Sequence, residues 1–259
     1  MNETNEPETV PTQCQGCGVI FRYEPIRIFG RDLAAPLHTH CETCQQTVAA
    51  AILAAEMEQA AGDRRETVRR TLPPELLPQH LDALGTDVTR SDFNAAMWGL
   101  VKKWRPGPHG NWIALIGPAG ECKTRCLALL ADKIIMQGNR LVWTSAMRLH
   151  TEATINLRSR ERQIQQTARD HLAECQSSPW LVIDDLGNNE WSPAFESQLF
   201  TILDYRKNHR LPIAYSSNAH PAEFHGSISS VNPAALIGRL LDRTSIFDFS
   251  PNPQPELTR

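Results

Sequence analysis

Long apolar runs and a strong charge imbalance are both missing from this sequence of 259 residues. It contains no stretch of 18 consecutive apolar residues, and its polar N-terminus lacks the apolar segment of a signal peptide. We therefore expect a soluble, cytoplasmic protein without a membrane partner. The formal net charge is only −3, from 26 Lys and Arg against 29 Asp and Glu. Bulk charge gives no indication of nucleic-acid binding, so any DNA contact requires a local patch.

A phosphate-binding loop is the most informative feature that the sequence does contain. The apolar run Trp112–Ile116 is followed by Gly-Pro-Ala-Gly-Glu-Cys-Lys-Thr, close to the pattern G-x-x-x-x-G-K-[ST]. Backbone N–H groups of such a loop, and of the helix it opens, bind phosphates. Lys123 would reach the β- and γ-phosphates, and Thr124 would place its hydroxyl on Mg²⁺. The predicted nucleotide-binding residues are Gly117, Pro118, Ala119, Gly120, Glu121, Cys122, Lys123, Thr124 and Arg125.

Cys122 is the one departure from this pattern, because it stands where the second glycine belongs. Its Cβ adds bulk where the backbone approaches the phosphates most closely. The departure bears on the rate of hydrolysis more than on nucleotide binding.

Two further predicted strands end in polar groups. The run Trp180–Gly187 is a buried strand that ends in two carboxylates. Since ligands lie outside the carboxyl ends of parallel strands, Asp184 would hold Mg²⁺ and Asp185 would act as the base on the attacking water. The run Arg210–Asn218 is the other strand, and Asn218 at its tip would orient that water or contact the γ-phosphate.

Arg239 and Arg243 lie four residues apart in the segment Gly-Arg-Leu-Leu-Asp-Arg. On a helix they would share one face. For one of the two we expect an ordinary surface role.

The order of these motifs resembles the AAA+ helicase-loader ATPases of the DnaC and IstB type, close to the replication-initiator clade. The resemblance covers about residues 95–249 and rests on GPAGECKT, LVIDDLG, YSSN and GRLLDR. It implies an α/β P-loop NTPase fold with a parallel sheet of order 5-1-4-3-2, little or no helical lid, and ATP bound between subunits. It also implies that Arg243 reaches the γ-phosphate of a neighbouring subunit. The implied catalytic residues are Lys123, Asp185, Asn218 and Arg243.

Four cysteines near the N-terminus form two C-x₂-C pairs separated by 23 residues: Cys14, Cys17, Cys41 and Cys44. Two complete pairs favour a four-thiolate Zn²⁺ site in a zinc ribbon over a redox dithiol. His38 and His40 lie beside the second pair, and the sequence leaves open that one of them replaces a thiolate.

These features divide the chain into four predicted segments: a disordered leader over residues 1–12, the ribbon over 13–45, a helical connector over 46–94 and the ATPase domain over 95–259. Within the connector, we expect a helix over Gln45–Gly62. Within the ATPase domain, a long helical insert over Met147–Cys175 carries five arginines offset by acidic residues. Contact with single-stranded DNA and a solvated helical hairpin remain open for this insert.

The sequence therefore predicts a DNA replication protein that binds ATP, Mg²⁺ and Zn²⁺ and couples nucleotide state to assembly of a partner on DNA. The expected partners are a replicative helicase and, through ATP-dependent oligomers, further copies of the chain. Two alternatives remain open. One is a transposition helper that acts on a transposase, and the other is a non-hydrolysing adaptor in which ATP only orders an interface.

Overall fold

The computed structural model describes residues 9–24, 27–28, 31–32, 39–77, 92–106, 112–187, 191–226, 228 and 233–250. The chain divides into two compact units, Met1–Asp63 and Arg64–Arg259. Among the described helices, none combines the length and apolar character that crossing a membrane requires.

The first unit contains two short antiparallel hairpins. β1 (Val10–Gln13) pairs with β2 (Ile20–Tyr23), and β3 (Arg27–Ile28) pairs with β4 (Arg31–Asp32). The expected disordered leader is therefore wrong for residues 10–12, which pair with β2; residues 1–8 lie outside the described residues. The reason is local, because the turn of the first C-x₂-C pair brings β1 and β2 together.

Helix α1 (Glu42–Thr71) is longer than the sequence predicts, because it continues past Gly62 instead of ending there. A glycine inside a helix costs only about 1 kcal/mol relative to alanine. Beyond Gly62, Val68 is fully buried in the core of the second unit, and Arg70 pairs with Glu66 one turn earlier. Tertiary burial of the last turns therefore outweighs the local helix-breaking signal.

The second unit is built on a parallel sheet of five strands. They are β5 (Trp112–Ile116), β6 (Leu141–Ser145), β7 (Trp180–Asp184), β8 (Ile213–Ser217) and β9 (Thr244–Asp248). Their spatial order is β9-β5-β8-β7-β6, with parallel pairing throughout. Counted in chain order along this sheet, the strands run 5-1-4-3-2.

Helices cover both faces of this sheet, since alternate strand residues enter two separate cores. One core packs the end of α1, α2 (Asp92–Lys103) and α3 (Lys123–Met136) against Ile113 and its neighbours. The other packs α4 (Ala146–Thr154), α5 (Arg162–Ser177), α6 (Pro193–Asn208) and α7 (Pro233–Leu241). A sheet buried on both faces explains why the inner strands β5 and β7 are nearly continuous apolar runs.

The insert between β6 and β7 consists of two helices, α4 and α5. A 3₁₀ turn at Asn156–Arg158 separates them. Their buried contact is polar: His171 Nδ1 pairs with Glu152, which also accepts a hydrogen bond from Arg148 Nε at 3.1 Å. All five arginines of the insert are exposed: Arg148, Arg158, Arg160, Arg162 and Arg169.

Candidate functional site

The phosphate loop curls because three of its residues have positive φ angles: Gly117 (134°), Gly120 (90°) and Cys122 (59°). At Gly117 a Cβ would lie 2.9 Å from the carbonyl carbon of Phe249, so only glycine fits. Cys122 is the N-cap of α3, and its side chain makes no capping hydrogen bond. The first N–H groups of α3 have no intrahelical acceptor, and they are suited to bind an anion.

A cavity of about 490 Å³ opens in front of this loop. Most of the predicted nucleotide-binding residues line it, namely those from Ala119 to Arg125. Asp185 and Asn218 complete the wall from the ends of β7 and β8. The structure thus brings together polar groups from three separate segments of the sequence.

Lys123 is folded back against the loop, where its Nζ donates to the carbonyl oxygen of Pro118 at 2.6 Å. The side chain is 5 % exposed. Burial lowers the pKa of Lys123, and the nearby carboxylates of Asp185 and Asp184 oppose this effect. A phosphate group would be a stronger acceptor than the Pro118 carbonyl for this ammonium group.

Thr124 and Asp184 meet at the end of β7. Thr124 Oγ1 donates to Asp184 Oδ1 at 2.9 Å, and Ser216 Oγ donates to the same oxygen at 2.5 Å. Burial raises the pKa of Asp184, while the two hydrogen bonds favour its ionised form. A hydroxyl and a carboxylate oxygen side by side are the hard ligands that Mg²⁺ prefers, so these residues fit the ion.

Asp185 is exposed at the cavity and has a φ of 58°, in the left-handed region that aspartate tolerates better than most non-glycine residues. Its backbone N–H donates to Ser216 Oγ at 2.9 Å. Asn218 is also exposed and lines the same cavity.

Arg243 lies just before β9, at the amino-terminal ends of the strands, whereas the cavity lies at their carboxyl ends. Its carbonyl oxygen accepts a hydrogen bond from the N–H of Trp112, the first residue of β5. The phosphate loop begins five residues later, or about 16 Å along an extended strand. This separation is longer than an arginine side chain, so the exposed Arg243 does not reach the cavity of its own chain.

The expectation that Arg239 and Arg243 share a helix face is wrong, because α7 ends at Leu241 and Arg243 follows it with a φ of 59°. Arg239 is held within the chain: its Nη2 lies 2.8 Å from Asp204 Oδ1, and its guanidinium sits 5.6 Å from the centre of the Phe200 ring. Of the two arginines, Arg243 is the more exposed.

The four predicted zinc ligands converge in the first unit. The Sγ atoms of Cys14, Cys17, Cys41 and Cys44 all lie within 4.8 Å of one another. Cys17 Sγ and Cys41 Sγ are 3.7 Å apart. Tetrahedral coordination at a Zn–S distance of about 2.3 Å requires an S–S edge of about 3.8 Å, so the cluster has the dimensions of a zinc site.

The surroundings of the four thiols shift the pKa values of two of them in opposite directions. A hydrogen bond from the backbone N–H of Cys41 is the main cause that lowers the pKa of Cys14 to about 6. The neighbouring sulfurs raise the pKa of Cys44 to about 12. His40 is not part of the group of four, and its Nδ1 pairs with Thr39 Oγ1 at 2.9 Å. His38 lies outside the described residues.

Sequence reasoning missed two residues, one that lines the cavity and one that contacts the carboxylate pair behind it. Leu76, in the 3₁₀ turn Pro74–Leu76 that follows α1, forms an apolar part of its wall. Ser216 donates to the Asp184 carboxylate and accepts from the backbone N–H of Asp185 at the end of β7. A polar residue in the apolar strand β8 was a signal for Ser216, whereas nothing local in the sequence marks Leu76.

Taken together, the parallel sheet, the phosphate loop and the paired carboxylates define a P-loop nucleotide-binding protein of the AAA+ class. Residues 109–250 match the family described as IstB-like ATP binding protein, and the chain belongs to this family. No curated protein matches the chain significantly.

The chain is similar to several solved structures, and with DnaI it shares the fold. The crystal structure of DnaI is 20% identical, with a TM-score of 0.50 over 61% of this chain and 82% of that one. The DnaC helicase loader is 18% identical, with a TM-score of 0.47 over 60% and 86% of the two chains. A putative primosome component from Streptococcus pyogenes serotype M3 is 18% identical, with a TM-score of 0.46 over 62% of this chain and 79% of that one. At 20% identity, the likeness to DnaI shows the fold alone.

Proposed function

We propose that this protein is an ATP-hydrolysing assembly factor of the helicase-loader kind, which couples nucleotide state to self-association and to the placement of a partner on DNA. The observation that carries the proposal is the cavity, where the phosphate loop, Asp185 and Asn218 face one another. Membership of the ATP-binding family supports ATP as the nucleotide.

Each side chain in the cavity has a chemical task in this proposal. Lys123 exchanges the Pro118 carbonyl for the phosphates, while Thr124 and Asp184 would hold Mg²⁺, which supplies positive charge against the phosphate oxygens. Asp185 accepts a proton from the attacking water, and Asn218 orients that water. These assignments make binding and turnover separable by mutation.

Arg243 provides the link between turnover and assembly. Arg243 is exposed at the end of the sheet opposite the cavity, where it is available to the nucleotide site of a neighbouring subunit. Such a head-to-tail contact is heterologous, and it builds a ring or a spiral. Arginine fingers contribute about 10³–10⁵ in rate in other phosphate-transfer systems.

The first experiment separates binding from turnover with two variants. Lys123→Ala removes the side-chain cation from the phosphates and should abolish binding of a fluorescent ATP analogue. Asp185→Asn should bind the analogue nearly as well as wild type and lose turnover, because only the base is removed. Equal loss of binding in both variants would contradict the role given to Asp185.

The second experiment tests the shared site by mixing two inactive variants. Arg243→Ala subunits keep an intact cavity, and Asp185→Asn subunits keep an intact arginine. Mixed interfaces should therefore regain ATPase activity, with Arg239→Ala as a control that retains more activity alone. No recovery, together with a monomeric ATP-bound protein in light scattering, would exclude the shared site.

Two other functions share this site. A transposition helper would use the same chemistry on a transposase, and pull-downs with a helicase and a transposase separate it from a loader. A non-hydrolysing adaptor is favoured by one observation, the Cβ of Cys122 in a left-handed conformation at the phosphate loop. Turnover measured with and without single-stranded DNA distinguishes the adaptor, and substitution of the exposed arginines of α5 by glutamine tests the insert as the DNA contact.

A further inference from the structure

Ser216, in β8, makes hydrogen bonds to three consecutive residues at the end of β7. Its Oγ donates to Asp184 Oδ1 at 2.5 Å and accepts from the backbone N–H of Asp185 at 2.9 Å. Its carbonyl oxygen accepts from the N–H of Leu186 at 2.8 Å. The side chain is fully buried, so water does not compete for these bonds.

These bonds occur where the sheet ladder stops. Regular pairing between β7 and β8 ends at Ile183 and Tyr215, one position before Ser216. Beyond that position β7 turns away from the sheet, through a left-handed Asp185 at 58° and Gly187 at 94°. The hydroxyl of Ser216 therefore replaces the next rung of the ladder while the chain bends.

We propose that Ser216 is a positioning residue, which sets the directions of the Asp184 and Asp185 carboxylates toward bound nucleotide. This inference rests on the proposed function, since it assigns tasks to both carboxylates. One hydroxyl group serves as donor to the first carboxylate and as acceptor for the backbone of the second. An alanine can do neither, and a threonine can do both.

The proposal is tested with Ser216→Ala, the rescue variant Ser216→Thr and the control Thr144→Val. Thr144 lies on β6, the other neighbour of β7, opposite Ile183. It is 2 % exposed, and its hydroxyl makes only a 3.5 Å contact with the carbonyl of Ser145. Its substitution thus removes a buried hydroxyl beside β7 without touching either carboxylate.

For Ser216→Ala we expect kcat to fall roughly 10- to 100-fold, since small misplacements of reacting groups have effects of this size. The dissociation constant of a fluorescent ADP analogue in EDTA should stay within about threefold of wild type, because the phosphate loop is intact. Added Mg²⁺ should lower the dissociation constant of that analogue less in Ser216→Ala than in wild type. Ser216→Thr should restore both properties, and Thr144→Val should retain them.

Hydrogen exchange of the nucleotide-free protein gives a readout independent of turnover. The peptide that contains residues 184–187 should exchange faster in Ser216→Ala than in wild type or Thr144→Val. Unchanged exchange together with unchanged kcat in Ser216→Ala would overturn the proposal. A loss of kcat together with an equal loss of ADP-analogue binding in EDTA would also overturn the proposal, since it indicates general damage to the fold.

Two further outcomes remain interpretable. If Ser216→Ala does not fold, Ser216→Cys keeps the size of the side chain and provides only a weak hydrogen-bonding group, and wild-type kcat in that variant would overturn the inference. If the wild-type protein hydrolyses no ATP, the proposed hydrolysis fails. The effect of Mg²⁺ on ADP-analogue binding and the hydrogen exchange of residues 184–187 then still test the positioning role of Ser216.

Discussion

Substitution of Cys122 by glycine tests whether the phosphate loop is strained. Cys122 has a φ of 59°, and a non-glycine residue pays about 1–2 kcal/mol for this conformation. Glycine avoids that cost and loses roughly 0.5–1 kcal/mol through the greater freedom of the unfolded chain. The Cys122 Sγ contact with Arg125 Nη1, at 3.5 Å, is a small additional loss.

The net expectation is that Cys122→Gly raises the stability of the protein by about 0.5–1 kcal/mol. In a domain of this size, this corresponds to an increase in Tm of about 1–4 °C. The matched control is Cys122→Ala, which removes the thiol and keeps both the Cβ and the strained backbone. It should be no more stable than wild type.

Thermal unfolding and titration with a fluorescent ATP analogue provide the two measurements. Cys122→Gly should also bind the analogue more tightly or turn it over faster than Cys122→Ala, because the uncrowded loop approaches the phosphates more closely. A glycine variant that is no more stable than the alanine variant would refute the strain argument. Weaker binding in the glycine variant would show that the loop has adapted to the thiol.

The remaining predictions concern the ribbon and the core. The purified protein should contain one tightly bound zinc per chain by metal analysis, and Cys17→Ser should release it while Cys122→Ser should not. Arg206→Met should lower the free energy of unfolding by about 3–5 kcal/mol in urea titrations. The buried guanidinium donates to the carbonyls of Cys175, Ser178 and Pro212 at 2.6–3.0 Å. Without it, these buried acceptors are unpaired, at a cost of about 1–3 kcal/mol each. Gly187→Ala should lower the same free energy by more than about 2 kcal/mol, since its Cβ would lie 2.5 Å from the Phe224 ring in a backbone of φ 94°.

The controls for the core predictions are equally direct. Arg169→Met removes an exposed arginine from α5 and should change the free energy of unfolding by less than about 0.5 kcal/mol. If Arg206→Met were as harmless as Arg169→Met, the carbonyl contacts would not stabilise the fold. A tolerated Gly187→Ala would mean that Phe224 moves aside at little cost.

Consecutive residues were sufficient to predict the phosphate loop and the carboxylate pair. A strand, a loop and a helix that follow one another fix the position of Lys123 and Thr124 by local geometry. Similarly, each C-x₂-C pair forms a knuckle within four residues, and the two knuckles define the Cys14, Cys17, Cys41 and Cys44 cluster by their spacing. The order of the motifs in the chain then indicated the family, which the match over residues 109–250 shows.

Tertiary structure decided the features that join distant parts of the chain. Ser216 contacts Asp184 across 32 sequence positions, and Leu76 reaches the cavity from the segment after α1. The continuation of α1 past Gly62 likewise depends on the burial of Val68. Sequence periodicity describes which face of an element is apolar, but it does not describe which other element covers that face. The same reason applies to the position of Arg243. The parallel register of β5 and β9 places it at the amino-terminal ends of the strands, away from the cavity of its own chain.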